Sequence, residues 1–588
     1  MTFQPIRSHP SLQGHPAHSD LAGRRRGEGP LQHRRLCWRL MRSFPLSRRT
    51  GSTSSTSPRT PPRSEASGST ASWTTRPAST RSSHFERLFF REPRDCGTEV
   101  HGETASMNAR DKMGKRGFAL VAVIVTVGVV GCGQDEVGSR GPPAGSKPNI
   151  VFVFADDLGY GDLGSYGNEV IATPNLDRMA SEGVRFTEFY SAHAVCTPSR
   201  AALLTGRYPP RSVGSIVYFP NDFEGLDPDE VTIADLLKGE GYATAVVGKW
   251  HLGHLPEFLP MAQGFDQFFG LPYSNDMNAP HYPGEDPPVQ PCPALEPDCR
   301  PGVPLMDGEA IIEQPAIQET LTQRYTARVI AFMQESVAAE QPFFLYYANN
   351  FPHTPLYASE DFLGTSAGGL YGDVVEELDW SVGEILKEIK ALGVDQNTLV
   401  IFTSDNGPWL LWETDDDVPQ GGLDSGTAGP LRQGKGTTFE GGIRVPMIAR
   451  WPGQIPAGQV QDGAAVMTDW LPTFAALAGA TVPEGLEIDG TDIMPVLAGD
   501  APRDSEEGYR YLQYRADGDD IVGAYREGNW KYKTPVEIFE VPYAAEPHGE
   551  LLFNLAEDIG EENDLSDAMP DRVAEMRRNM IELAAEVR

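Results

Sequence analysis

Cysteine is scarce. Six residues among 588, at positions 37, 96, 132, 196, 292 and 299, exclude a disulfide-stapled scaffold. Only Cys292 and Cys299, in a Pro-rich stretch, suggest a bridge, and the spacing leaves that pairing open. Positive charge is also short: 49 Lys and Arg face 82 Asp and Glu, for a net charge of −33. The deficit is uneven. Residues 1–112 carry 19 Lys/Arg and 9 Asp/Glu, so the rest carries −43. An acidic body repels phosphates over most of its surface, which argues against a nucleic-acid partner. It does not exclude an anionic substrate, which needs only a local positive site. The apolar run Phe118–Val130 is short for a membrane span, and no internal repeat is visible. The length corresponds to about four domains and is ample for a large core.

What is present falls into unlike parts. Residues 1–112 are rich in Arg, Ser, Thr and Pro, with a low-complexity stretch from Gly51 to Ser57 and no sustained apolar period. They are expected to be disordered and not to belong to the native protein. From Met113 the chain reads Met-Gly-Lys-Arg-Gly, then an apolar core, then Gly131-Cys132: a charged start, a short hydrophobic region and a small residue before Cys. Val129-Val130-Gly131-Cys132 resembles a bacterial lipobox. That resemblance implies a signal peptide over 113–132, translation starting at Met107 or Met113, and lipid on Cys132. It also implies a membrane-anchored protein in the bacterial cell envelope, periplasmic or on the outer surface. Residues 133–146 read as a polar tether.

The body begins at Lys147. Asn149–Ala155, Val184–Tyr190, Ala243–Val247, Pro342–Ala348, Thr398–Thr403 and Val445–Arg450 read as strands. Helical patterns cover Thr173–Gly183 (Thr173 as cap, Pro174 in the first turn), Val231–Leu237, Gln318–Ala339, Gly372–Ala391 and Leu471–Ala478. Residues 271–310, dense in Pro and Gly, read as a long loop over the site. The alternation predicts an α/β fold: a large, mostly parallel sheet with helices on both faces. After about residue 490, short strand-like runs at 509–515, 523–526, 530–533 and 551–555 and an amphipathic stretch at 569–587 predict a small α+β domain with an antiparallel sheet. The expected layout is a catalytic domain over 147–490 and a C-terminal subdomain over 491–588.

Ligands of parallel sheets bind beyond the carboxyl ends of the strands. Asp156, Lys249, His353 and Asp405 each follow a predicted strand, which suggests one site. Asp156-Asp157 and Asp405-Asn406 are oxygen donors with no His/Cys set beside them, a pattern that favours Ca²⁺, with Mg²⁺ as the alternative, over zinc. Lys249 and His251 alternate across a strand end and so are expected to share a face. Lys435 stands between Gly434 and Gly436, which would let the backbone approach a ligand. Cys196 sits on a strand-to-helix turn, where free N–H groups favour an anion.

The motifs Cys196-Thr-Pro-Ser-Arg200, Gly248-Lys-Trp-His-Leu-Gly253 and Gly434-Lys-Gly-Thr-Thr-Phe-Glu-Gly-Gly442 resemble those of the type I sulfatases. Residues 429–444 and Phe269-Gly-Leu-Pro-Tyr-Ser-Asn-Asp276 look most like the arylsulfatase A and N-acetylgalactosamine-6-sulfatase branch. The resemblance implies an alkaline-phosphatase-like fold and conversion of Cys196 to formylglycine by a formylglycine-generating enzyme. It implies a divalent cation held by Asp156, Asp157, Asp405, Asn406 and position 196. It further implies that Arg200 supports the modified side chain, that Lys249, Lys435 and Ser274 contact the sulfate, and that His353 protonates the departing alcohol. His251 would take a proton from the formylglycine hydrate to release sulfate. Asn275 departs from the His that some members carry, which bears on the leaving-group contacts. The expected substrate is a sulfated small molecule or glycan. A phosphate or phosphonate ester hydrolase on the same scaffold is the first rival, and a lipoprotein that binds sulfated glycans without turnover is the second.

Overall fold

Asn149–Ala155 is buried along its whole length, and a run apolar on both faces is stable as a strand only when both faces are covered. It is β1, at the centre of the main sheet. The computed structural model describes residues 146–277, 302–410, 425–500, 509–516, 520–536 and 548–587. These belong to one compact unit, Val127–Arg588. The expected signal segment with Cys132, the Cys292/Cys299 pair and the middle of the 271–310 segment lie outside the described residues.

The strands that follow are β2 (Val184–Tyr190), β3 (Ala243–Lys249), β4 (Gln267–Leu271), β5 (Leu305–Asp307), β6 (Ala310–Glu313), β7 (Phe343–Ala348), β8 (Thr398–Ser404), β9 (Arg444–Arg450), β10 (Gln459–Gln461) and β11 (Ala465–Val466). They form one sheet in the order β10-β2-β9-β8-β1-β7-β3-β4-β5-β6, with β11 also on β2. β8, β1, β7, β3 and β4 run parallel. β9 is antiparallel to both β8 and β2, and β5 and β6 make an antiparallel edge. The helices are α1 (Pro174–Glu182), α2 (Cys196–Thr205), α3 (Ile233–Gly239), α4 (Leu321–Ala338), α5 (Gly369–Ala391), α6 (Glu440–Ile443), α7 (Trp470–Ala478), α8 (Met494–Leu497) and α9 (Pro570–Val587).

Alternation along β1 sorts the two cores. Ile150, Phe152 and Phe154 pack with α2, α3 and α7. Val151, Val153 and Ala155 pack with α1, α4 and α5. The expected mixed, mostly parallel sheet with helices on both faces is therefore what forms. The C-terminal strands β12 (Arg510–Tyr514), β13 (Val522–Glu527), β14 (Trp530–Lys533) and β15 (Leu551–Asn554) make a separate antiparallel sheet in sequential order. Its Tyr511, Leu512 and Tyr525 join Val573 and Met576 of α9 in the same core as β2 and α7. Among the described residues no helix is long and apolar enough to cross a membrane.

Two local expectations need correction. The 271–310 segment is not all loop, because its far end forms β5 and β6 at the sheet edge. Strands of three and four residues carry too little alternation to stand out beside the Pro and Gly that precede them. Thr173 does not cap α1 through its side chain. Its hydroxyl is taken by the Gly164 N–H and by Asp177, and Asp379 of α5 accepts the N–H groups of Asn175 and Leu176 instead.

Candidate active site

The sheet order β8-β1-β7-β3 sets four strand ends side by side. Each delivers one part of the site: Asp405 and Asn406 after β8, Asp156 and Asp157 after β1, His353 after β7, and Lys249 as the last residue of β3. Asp157 adopts φ 63°, an uncommon left-handed conformation that Asp tolerates better than most residues. Cys196 is the first residue of α2, behind the extended cap residue Val195, and is buried.

One ligand atom from each of Asp156, Asp157, Cys196 and His353 lies within 4.8 Å of the others. Lys249 Nζ donates to Asp156 Oδ2 at 2.6 Å and to Ser274 Oγ at 3.2 Å. Lys435 Nζ donates to Asp157 Oδ2 at 2.9 Å and to Cys196 Sγ at 3.4 Å. Arg200 donates to Asp405 Oδ2 from Nε at 3.0 Å and Nη2 at 2.8 Å, and to the Lys249 carbonyl from Nη1. Its guanidinium thus ties the β8 loop to the end of β3. Asp405 Oδ1 in turn accepts the Asp157 N–H, and Asn406 Nδ2 donates to Asp157 Oδ1 at 2.7 Å. Every sequence-predicted site residue is brought to this one buried place.

Asn406 Oδ1 is buried without a hydrogen-bond partner among the described residues, a costly state unless something else fills it. That orphan atom and three neighbouring carboxylates make an all-oxygen set that fits a hard divalent cation. Burial works against charge throughout. It would raise the Asp156 carboxyl, but Lys249, His353 and Arg200 hold it below its usual range. Burial and the Asp156 charge together raise Asp405. Burial pushes the Cys196 thiol up to about 12, despite the nearby lysines. Burial therefore favours the neutral thiol over the thiolate here.

The two histidines differ in the nitrogen they present. His353 Nδ1 lies 2.5 Å from the Thr354 carbonyl, which can only accept, so Nδ1 carries a proton and Nε2 faces Ser274 at 3.3 Å and Asp157 at 3.6 Å. His251 Nε2 lies 3.0 Å from the Tyr218 carbonyl and must donate to it. Its Nδ1 is buried without a hydrogen-bond partner among the described residues. Burial, with Lys249 and Arg200 nearby, holds His251 well below the ordinary histidine range, so Nδ1 offers a free lone pair.

One local argument from the sequence does not hold, and another is incomplete. β3 ends at Lys249 and His251 adopts φ 62°, so strand alternation does not bring them together; the tight turn and the Tyr218 carbonyl do. The glycines around Lys435 also have reasons within the protein itself. A Cβ on Gly434 would stand 2.4 Å from the Pro408 carbonyl, and Gly436 takes φ 83°. Sequence reasoning places residues 408–430 at the pocket for the alcohol part of the substrate but does not single out Trp409. This half-buried ring lies 5.1 Å from Lys435 Nζ and 5.7 Å from the His353 ring, at the edge of the site. Its place just after Asp405-Asn406-Gly-Pro was the available signal. Tyr218 contributes through its backbone and left no side-chain signal.

The sulfatase family profile matches residues 148–480, and that of the N-sulphoglucosamine sulphohydrolase C-terminal region matches 434–585. The chain belongs to the sulfatase family. Within it, the chain is similar to arylsulfatase A of Bos taurus, with 41% identity over 458 residues, 74% of this chain and 86% of that protein. It is likewise similar to N-acetylgalactosamine-6-sulfatase of Canis lupus familiaris, with 38% identity over 497 residues, 79% and 88% of the two chains. A solved sulfatase from a Bacteroides thetaiotaomicron locus for metabolism of multiple glycosaminoglycans superposes with a TM-score of 0.64 at 30% identity, covering 74% of this chain and 99% of that one. The fold is the alkaline-phosphatase-like one of these enzymes, and the activity is hydrolysis of sulfate esters.

Proposed function

We propose that the protein is a lipid-anchored sulfatase of the bacterial cell envelope that removes sulfate from a carbohydrate or aryl alcohol. The reading gives residues 147–490 the catalytic role and leaves 491–588 as a C-terminal subdomain. The convergence of Cys196, two lysines and an all-oxygen donor set in one buried site carries the sulfatase reading, and the sequence Met113–Cys132 motivates the anchor.

Formylglycine at position 196, made by a formylglycine-generating enzyme, would supply a hydrated aldehyde, with one hydroxyl to attack sulfur and a second to allow release. Asp156, Asp157, Asp405 and Asn406 would hold Ca²⁺, or Mg²⁺ in its place, which would neutralise sulfate oxygens. Lys249 and Lys435 already point at the metal-side carboxylates and at Cys196, so a sulfate bound there meets two ammonium groups. Ser274, between Lys249 and His353, would hydrogen-bond the sulfate or its bridging oxygen. His353 would protonate the leaving oxygen from Nε2, the ring nitrogen that faces Ser274 and Asp157. His251 would accept the proton through Nδ1 when sulfate departs; its Nδ1 is buried without a hydrogen-bond partner among the described residues, which supports that reading.

The test is protein made in cells with the modifying enzyme. Peptide mass spectrometry should find aldehyde or hydrate at residue 196, and turnover of an aryl sulfate should far exceed that of the matching aryl phosphate. Full activity with unmodified Cys196 would sink the nucleophile assignment, and a preference for phosphate would favour the rival ester hydrolase.

A further inference from the structure

Lys249 is held by a strand, but Lys435 lies on a loop that ends only at the four-residue helix α6. A side chain that must meet a sulfate within a fraction of an ångström needs support from elsewhere. Two sides of the loop are tied within the catalytic region. The Gly436 N–H donates to the Ala194 carbonyl at 2.9 Å, beside Cys196, and the Lys435 N–H donates to the Pro408 carbonyl at 2.9 Å, beside Asn406.

The third side is the C-terminal sheet. Lys531 and Lys533, two apart on β14, face the loop and are buried. Lys533 Nζ donates to Thr438 Oγ1 at 2.6 Å and stands 3.9 Å over the Phe439 ring. Lys531 Nζ reaches Glu440 Oε1 at 2.8 Å and Glu561 Oε1 at 2.9 Å. Glu561 Oε2 accepts the Glu440 N–H at 2.6 Å, and the Glu561 carbonyl accepts Arg432 Nη1 at 2.7 Å. So residues 432, 438, 439 and 440, on both sides of Lys435, are gripped by two residues of β14 and by Glu561.

Stability alone does not explain this arrangement. Desolvating ions costs several kcal/mol each, and well-packed apolar residues of similar volume often do as well. What ion pairs add is a fixed geometry.

We propose that Lys531, Lys533 and Glu561 are positioning residues for Lys435: the C-terminal sheet clamps residues 438–440 and so sets where the Lys435 ammonium stands against the sulfate. None of the three touches the reacting atoms. The inference rests on the reading of Lys435 as a sulfate contact.

A double-mutant cycle on the full, formylglycine-bearing protein tests it, with an aryl sulfate as substrate and inorganic sulfate as product inhibitor. Lys533→Met keeps the apolar stem and removes the donor. It should lower kcat/KM roughly tenfold or more, since small misplacements near the chemistry are expensive, and it should weaken inhibition by sulfate. In a Lys435→Ala background the same change should cost less than about twofold, because the group being positioned is gone. An equal loss in both backgrounds, or no loss in the parent, overturns the proposal. If Lys435→Ala itself keeps full activity, the reading of Lys435 fails, a result visible without any β14 variant. Should Lys533→Met not fold, Thr438→Val removes the same hydrogen bond from the loop side and is read by the same outcomes.

Discussion

Cys196 and Asn406 are the residues that speak most directly about chemistry. Position 196 is proposed to carry a formylglycine hydrate, so replacing Cys196 by Ser should abolish turnover rather than reduce it: a serine has no second hydroxyl through which to release sulfate. Asn406 is expected to act through its unpartnered Oδ1. Asn406→Ala should weaken metal binding at least roughly tenfold, so activity after chelation should return only at higher Ca²⁺. Recovery at the same Ca²⁺ as the parent would count against the ligand assignment. Trp409 borders the Lys435 ammonium and the His353 ring, where the proposed general acid would release the alcohol. Trp409→Ala should therefore raise KM for bulky sulfated substrates several-fold more than for a small aryl sulfate, measured side by side. The carboxylates, lysines and histidines were legible because each ends a buried strand or lies in a specific motif. Trp409 and the Tyr218 carbonyl were not, since one is an ordinary aromatic in a loop and the other acts through the backbone.

At the scale of elements, the strands buried on both faces were the legible ones. β1 begins and ends where its apolar run does. β5 and β6 were hidden because edge strands this short need no pattern. The cap of α1 was hidden for another reason: Asp379, which supplies it, lies 204 residues from Asn175, and local sequence cannot report such a partner. That cap has a consequence for pH. Burial raises the Asp379 carboxyl to about 6, above its ordinary value of about 3.9. Between these values the folded state holds a proton that the unfolded chain has released, so this group's contribution to stability falls as pH rises from about 4 to about 6. Asp379→Asn keeps an oxygen for the helix N–H groups and cannot ionise. It should flatten this part of the stability curve, at the cost of the Oδ2 acceptor now used by the Asn175 N–H and Nδ2 groups. Denaturant melts at pH 4.5 and 7 check it, and equal pH slopes in the two proteins would refute it. The clamp on Lys435 belongs to the same illegible class, since Lys531 and Glu440 lie 91 residues apart.

For the whole molecule the governing quantity is charge. Residues 113–588 carry −43, so the body repels a polysulfated chain at long range even though the site attracts a single sulfate. Raising ionic strength from low salt screens that repulsion over a Debye length that shrinks to about 10 Å at 0.1 M. The expected result is that kcat/KM for a multiply sulfated oligosaccharide rises with salt while that for a monosulfated aryl ester rises less. Parallel falls for both would mean that attraction at the site dominates. The basic segment 1–112 bears on the same scale. It has no apolar period from which to build a core and precedes a signal-like stretch that works at the start of a chain. On the proposed reading of Cys132 as a lipid anchor, expression from Met113 in a bacterial host should give full activity in the membrane fraction, since several acyl chains would anchor far more firmly than one. Cys132→Ala should move that activity out of the membrane fraction without changing kcat/KM, because position 132 precedes the catalytic body that begins at Lys147. Membrane retention of Cys132→Ala would overturn the lipid anchor, and active native protein that keeps residues 1–112 would overturn the start site and the anchor together.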